Sequence, residues 1–225
     1  MQLGITGDTH GEFSLERFYS AYEDGADALI VCGDFGYIWY GDKKENSCLN
    51  KINEMGMTIL FVPGNHENYD LLETYPIIKK FGGNVRKIRN NIYQLITGEI
   101  YNIDDINFLA LGGAESIDRE MRINHKSWWE QEIPKDSEIE SAKNNLAKRN
   151  YEVDFIISHT AFPEAITGLG FNPNNDKVTA ILKWFNDNVK YKHWYFGHMH
   201  LNKNILCYNA TCLYDSIGYL ETNLR

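Results

Sequence analysis

The chain has 225 residues, 43% of them apolar, with 18 glycines available for tight turns and a formal net charge of −9. These totals fit one large α/β domain over 1–225 and exclude a low-complexity, repeat or collagen-like chain. The acidic balance repels nucleic-acid and membrane phosphates over most of the surface, so extended nucleic-acid binding is not expected and any bound phosphate must be met locally.

Met1 leads straight into the strand-like run Leu3-Gly4-Ile5-Thr6, which leaves no room for a signal peptide, and no apolar run reaches transmembrane length. Cys32, Cys48, Cys207 and Cys212 offer no Cys-x-x-Cys spacing and read as reduced thiols of a cytoplasmic protein.

The N-terminal third alternates strand and helix. A strand over 3–6 ends at Gly7-Asp8-Thr9-His10-Gly11. A helix over 14–24, with Ser14 as its cap, follows with Leu15, Phe18, Tyr19 and Tyr22 at helical spacing. Strand 28–32 ends at Gly33-Asp34, a helix over 43–55 stops at Gly56, and strand 58–62 ends at Gly64-Asn65-His66-Glu67. This repetition predicts right-handed crossovers and a parallel sheet whose strand ends share one edge.

From 84 to 111 the rhythm shortens to strands at 85–88, 92–95, 99–103 and 106–111. The turn dipeptides Asn90-Asn91, Thr97-Gly98 and Asp104-Asp105 separate them, which predicts a largely antiparallel meander that begins a second sheet. Gly112-Gly113 opens a long polar segment, 112–136, carrying Arg119, Arg122, His125 and the pair Trp128-Trp129. Irregular segments of this length serve function or move, so 112–136 is a candidate substrate lid with the tryptophans anchoring it on the core. A surface helix over 137–149 and a strand over 153–157 ending at Ser158-His159-Thr160 follow. After a loop to 176 come an amphipathic helix on Val178, Ile181, Leu182 and Phe185, a strand over 193–196 ending at Gly197-His198-Met199-His200, and a hairpin of 204–208 with 211–215.

The strand ends together supply Asp8, His10, Asp34, Asn65, His66, His159, His198 and His200, five of the chain's seven histidines. Singly each is a turn former, a cap or a satisfied polar residue; jointly they suit a two-metal site. Oxygen and imidazole donors without thiolate favour manganese, iron, zinc, cobalt or nickel over a structural zinc site. On an extended strand His198 and His200 would project to the same side, so the loop must twist or bend if they are to serve different ions.

In order, these blocks resemble the calcineurin-like metallophosphoesterases: Asp8-x-His10, Gly33-Asp34, Gly64-Asn65-His66-Glu67, His159 and Gly197-His198-x-His200. The resemblance implies a four-layer α/β/β/α sandwich of two mixed β-sheets flanked by helices. It also implies two divalent ions, most naturally manganese, one on Asp8, His10 and His200, the other on Asn65, His159 and His198, with Asp34 bridging and His66 facing the substrate. Phe35-Gly36-Tyr37-Ile38-Trp39 and Thr160-Ala161 depart from the protein serine/threonine phosphatases, so the likeness is to the broader superfamily.

The function expected is hydrolysis of a small phosphorylated substrate, a phosphomonoester or phosphodiester, by a hydroxide bridging the two ions with His66 as general acid. A phosphate-binding arginine would come from Arg119 or Arg122. The competing readings are a protein-binding scaffold of the same fold, whose mark would be missing ligands, and a nuclease, which the charge disfavours.

Overall fold

The computed structural model describes residues 1–174 and 176–221; residues 175 and 222–225 of the expected domain lie outside the described residues. In chain order the elements are β1 (Gln2–Thr6), α1 (Glu16–Glu23), β2 (Ala28–Val31), α2 (Lys43–Glu54), β3 (Thr58–Phe61), α3 (Tyr69–Leu72), β4 (Ile77–Lys80), β5 (Gly83–Lys87), β6 (Ile92–Leu95), β7 (Ile100–Ile103) and β8 (Ile106–Leu111). There follow α4 (Asp136–Ala147), β9 (Phe155–Ser158), α5 (Pro163–Leu169), α6 (Lys177–Asn188), β10 (His193–Phe196), β11 (Lys203–Ile205), β12 (Ala210–Cys212) and β13 (Gly218–Glu221).

Two mixed sheets result. One has seven strands in the order β13-β1-β2-β3-β6-β5-β4, the other six in the order β11-β12-β10-β9-β8-β7. Strands β1, β2 and β3 are parallel with Leu3, Ala28 and Thr58 in register, so their C-terminal ends emerge side by side. Parallel pairing of β10 with β9 and of β9 with β8 does the same in the second sheet.

Alternation decides which face each side chain joins. Leu29, Val31, Ile59 and Phe61 pack under α1 and α2, whereas Ala28, Ile30 and Leu60 meet Phe108, Ala110 and Ile157 between the sheets. On the far side Ile156, Trp194 and Phe196 pack under α4, α5 and α6. The layers are therefore helix, sheet, sheet, helix, and strands buried on both faces read as unbroken apolar runs.

Several expectations need correction. The meander is divided: β5 and β6 join the first sheet and β7 and β8 the second, because β6 pairs with β3 rather than with β7. Edge strands β4 and β13 and helix α5 add to the expected elements, α5 lying inside the predicted loop to 176. Ser14 does not cap α1; Leu15 occupies that position in a left-handed conformation with no side-chain cap. The segment 112–136 carries two 3-10 turns, Arg119–Met121 and Glu130–Glu132. Among the described residues no helix is long and apolar enough to cross a membrane.

Candidate metal centre

Where the parallel strands of the two sheets end, the predicted donors meet. Asp8 and His10 follow β1, Asp34 follows β2, Asn65 and His66 follow β3, His159 follows β9, and His198 and His200 follow β10. Asp8, His10, Asp34, His198 and His200 all have positive φ, between 36° and 66°. Left-handed backbone at non-glycine residues is costly and persists where the surroundings over-determine it, which marks a functional site. It also corrects the extended-strand picture of His198-x-His200: both residues lie in a tight loop.

Close approach of the loops requires glycine, as two positions illustrate. A Cβ at Gly33 would collide with the His159 ring, and one at Gly64 with the Asp34 carboxylate.

The donor atoms form two overlapping groups, Asp8 with His10 and His200 and Asp8 with Asp34 and His159, and the Asp34 carboxylate lies between them. His10 Nε2 lies 3.0 Å from His200 Nε2 and 3.8 Å from Asp34 Oδ2, and Asp8, His10 and His200 offer donor atoms within 4.8 Å of one another. On the other side His159 Nε2 lies 3.0 Å from Asn65 Oδ1 and 3.2 Å from Asp34 Oδ1, with the His198 ring 4.9 Å from the His159 ring. Asp34 thus turns one oxygen to each group. Asp8 Oδ1 also lies 3.7 Å from His159 Nδ1, but that nitrogen donates to the Cys32 carbonyl at 2.9 Å, which leaves Nε2 as the free donor.

These spacings fit divalent cations. Adjacent ligands around an octahedral ion with bonds of about 2.1 Å stand about 3.0 Å apart. The 3.0–3.2 Å separations match that value.

The electrostatics leave His10 and His198 ready to bind a cation and His159 protonated. Burial pushes the His10 and His198 imidazoles down to about 4 and about 3, so both are neutral, with lone pairs to give, at pH 7. Burial disfavours the Asp34 charge, but His159 beside it holds the carboxyl well below its ordinary range. For His159 burial opposes the charged form, yet Asp34 outweighs it and carries the imidazole to about 9. Asp8 is raised by burial to about 7. At pH 7 the buried His159–Asp34 pair is therefore an ion pair, and a cation on His159 Nε2 would replace its proton as the partner of Asp34.

The supporting shell contains residues that sequence reasoning did not single out. Arg17, buried on α1, donates from Nη2 to the Asp8 carbonyl at 2.7 Å and from Nη1 to the Gly7 and Tyr214 carbonyls, which fixes the loop after β1. Its signal was a cation on the helix's apolar face, beside Phe18 and Ala21. Buried Glu67 accepts the Phe35 N–H at 2.7 Å and ties the loop after β3 to the loop after β2. Tyr214 stacks on His200, ring centres 4.6 Å apart.

His66 lies beside the donors, its ring edge-on to that of His10 with centres 5.3 Å apart. Its backbone N–H donates to Asp34 Oδ1 at 2.8 Å, while its side chain faces a cleft of about 630 Å³ lined also by Asn65, Asp118, Arg122, Phe171 and His198. Arg122 Nη2 lies 3.2 Å from His66 Nε2; a guanidinium only donates, so Nε2 accepts and the neutral ring carries its proton on Nδ1. Burial lowers the His66 pKa, Asp34 raises it and Arg122 lowers it further, with a net fall.

The structure separates the two candidate arginines. Arg122, held by Asp118 Oδ1 at 2.7 Å, reaches the cleft. Arg119 is exposed, with its guanidinium 4.2 Å over the Trp128 ring, away from the donors. Trp128 and Trp129 are buried, Trp129 donating to Asp70 at 2.8 Å, so the segment 112–136 is anchored as its tryptophans predict.

Comparison with known proteins accounts for this arrangement. A family model described as calcineurin-like phosphoesterase matches residues 1–202. The chain belongs to that family. The family implies divalent ions of the kind the donor set fits, and the chain spans only 36% and 50% of the first relatives matched by sequence and by structure.

The uncharacterized protein MJ1162 of Methanocaldococcus jannaschii is 25% identical over 210 residues, 90% of this chain and 81% of that protein. The uncharacterized protein L509 of Acanthamoeba polyphaga mimivirus is 31% identical over 104 residues, 44% of this chain and only 36% of that protein. Among solved structures, TT1561 of Thermus thermophilus aligns over 99% of both chains with a TM-score of 0.55 and 13% identity. A candidate 5′-nucleotidase from Staphylococcus aureus, solved with α-ketoglutarate, aligns over 97% of this chain but 50% of its own, with a TM-score of 0.54 and 15% identity. At such identities the likeness speaks to the fold.

Proposed function

We propose that the protein is a dinuclear-metal phosphohydrolase acting on a small phosphorylated substrate. In this reading Asp8, His10 and His200 hold one cation, Asn65, His159 and His198 the other, and Asp34 serves both. The observation that carries it is the division of the Asp34 carboxylate, Oδ1 toward His159 and Oδ2 toward His10. Manganese suits the mixed oxygen and imidazole donors, with iron, zinc, cobalt or nickel as chemically related occupants.

When bound, the cations supply Lewis acidity, acidifying a water and neutralising charge on the phosphoryl oxygens. The chain's own residues do the rest. Arg122, at the mouth of the cleft, offers a charged fork to an anionic phosphoryl group. An anion drawn to Arg122 takes that guanidinium away from His66 and sets negative charge beside the imidazole, which favours its protonated form. His66 then donates that proton to the departing alkoxide.

Protein loaded with manganese and freed of excess metal should carry two ions per chain by elemental analysis and hydrolyse p-nitrophenyl phosphate. One ion per chain in fully active protein would contradict the scheme.

Arg122→Ala should raise KM about 10- to 100-fold, the loss of a charge-assisted contact, with metal content unchanged. Arg119→Ala should leave KM within about twofold, as expected of an exposed residue. The same steady-state measurement on both variants checks the assignment, and a KM shift in Arg119→Ala alone would reverse it.

A further inference from the structure

His66 lines two clefts, not one. Beside the 630 Å³ cleft under the 112–136 segment lies a second of about 470 Å³, on the α2 side, lined by His10, His66, Phe13, Trp39, Tyr40 and Lys44. Its apolar walls are exposed rings: Phe13 is 63% and Tyr40 76% accessible, and Trp39 lies with its ring 6.3 Å from that of His66. Exposed aromatic side chains gathered in one concave patch, unlike single ones, mark a binding face.

The backbone that carries Trp39 and Tyr40 is held from behind. Buried Glu45 accepts from the backbone N–H groups of Trp39, Tyr40 and Gly41 at 2.7–3.1 Å, and Asn68 donates to the Trp39 carbonyl at 2.8 Å. Asp42 is engaged as the cap of α2, accepting from Glu45 N at 2.9 Å. Both acids of the cleft are therefore directed into the backbone. Lys44 has no carboxylate partner among the described residues and lies 5.3 Å over the Phe13 ring. The cleft thus presents aromatic side chains, two of them on a fixed backbone segment, and a cation without a carboxylate partner beside the metal centre of an acidic chain.

We infer that this cleft is the subsite for a planar aromatic arm of the substrate, while the cleft under 112–136 receives the other arm. The phosphoryl group lies between them, so the substrate is a phosphodiester. A monoester has one arm to place and would leave one cleft unused. The inference rests on the proposed phosphoesterase reading and narrows it. Its chemistry admits an aryl ester or a nucleobase, both of which stack on Tyr and Phe faces.

The test is calorimetric binding to manganese-loaded full-length protein, using phosphinates whose P–C bonds are not hydrolysed. Methyl(phenyl)phosphinate should bind about tenfold more tightly than dimethylphosphinate, the scale of one aromatic stacking contact. Phe13→Ala and Tyr40→Ala, both exposed positions, should each erase most of that gain with metal content unchanged. The 5′-methylene phosphonate analogue of adenosine monophosphate, compared with phenylphosphonate, separates the sources: a further gain lost in Tyr40→Ala assigns a nucleoside arm, and equal affinity assigns an aryl ester.

Turnover adds a second arm. Wild-type protein should have a higher kcat/KM for bis(p-nitrophenyl) phosphate than for p-nitrophenyl phosphate. A phenyl gain that persists in both variants, no phenyl gain, or a preference for the monoester would overturn the inference while leaving the phosphoesterase reading intact. Absence of phosphinate binding together with absence of hydrolysis would overturn that reading itself.

Discussion

Asp34→Asn should cost the protein its tight hold on both cations and lower phosphoester turnover by about a thousandfold, the equivalent of several kcal/mol of charge stabilisation. The substitution is nearly isosteric, and the retained Oδ1 can still accept the His66 N–H that Asp34 accepts at 2.8 Å, so the loops after β2 and β3 should stay in place. What changes is the charge and one oxygen. An amide turns NH₂ toward one donor group, where it competes for space without giving a lone pair, and the buried anion that both groups share is gone. Elemental analysis after dialysis and a thermal melt should together report folded protein that has lost both ions. Retention of one tightly bound ion would make Asp34 a ligand of a single site, and retention of both with near-normal turnover would remove it from the centre altogether.

What could be read from the sequence follows from burial. Strands β1, β2 and β3 are covered on both faces, so they appear as apolar runs, and the polar residues that end them announce themselves. Strand β4, Ile77-Ile78-Lys79-Lys80, lies at a sheet edge with Ile77 exposed, and no alternation distinguishes it. Helix α5 was hidden by Pro163 at its start and by Gly168 and Gly170, although proline is at home in a first turn and glycine just past a last one. The division of the meander between two sheets depends on which partner each strand meets, a tertiary choice that β propensity does not encode.

The site shows the same limit. That Asp8, His10, Asp34, Asn65, His66, His159, His198 and His200 lie at strand ends was legible, but their sorting into two groups came from resemblance, since spacing along the chain does not fix which loops face each other. Arg119 and Arg122 stand in one irregular segment without periodicity. Only the 3-10 turn at Arg119–Met121, with Asp118 holding Arg122 at 2.7 Å, brings one to the cleft and leaves the other on Trp128.

His66→Asn should keep both ions, slow the hydrolysis of alkyl phosphates about a hundredfold or more, and slow that of p-nitrophenyl phosphate by less than about tenfold. The expectation rests on position. The His66 backbone N–H is bound to Asp34, which fixes the residue beside the centre, while its ring, 5.3 Å from that of His10, lines the cleft. An alkoxide departs poorly without a proton, whereas p-nitrophenolate is stable on its own, so a group that protonates the leaving oxygen matters in proportion to that oxygen's basicity. Asparagine fills a similar volume and preserves the backbone contact, which isolates the loss of the proton donor from a loss of structure. Parallel kinetics on an alkyl and a p-nitrophenyl ester, with elemental analysis of the same preparation, distinguish the possibilities. Equal losses on both esters would make His66 a binding residue for the phosphoryl group, and loss of an ion would make it part of the metal shell; either result would remove it from the proton-transfer step.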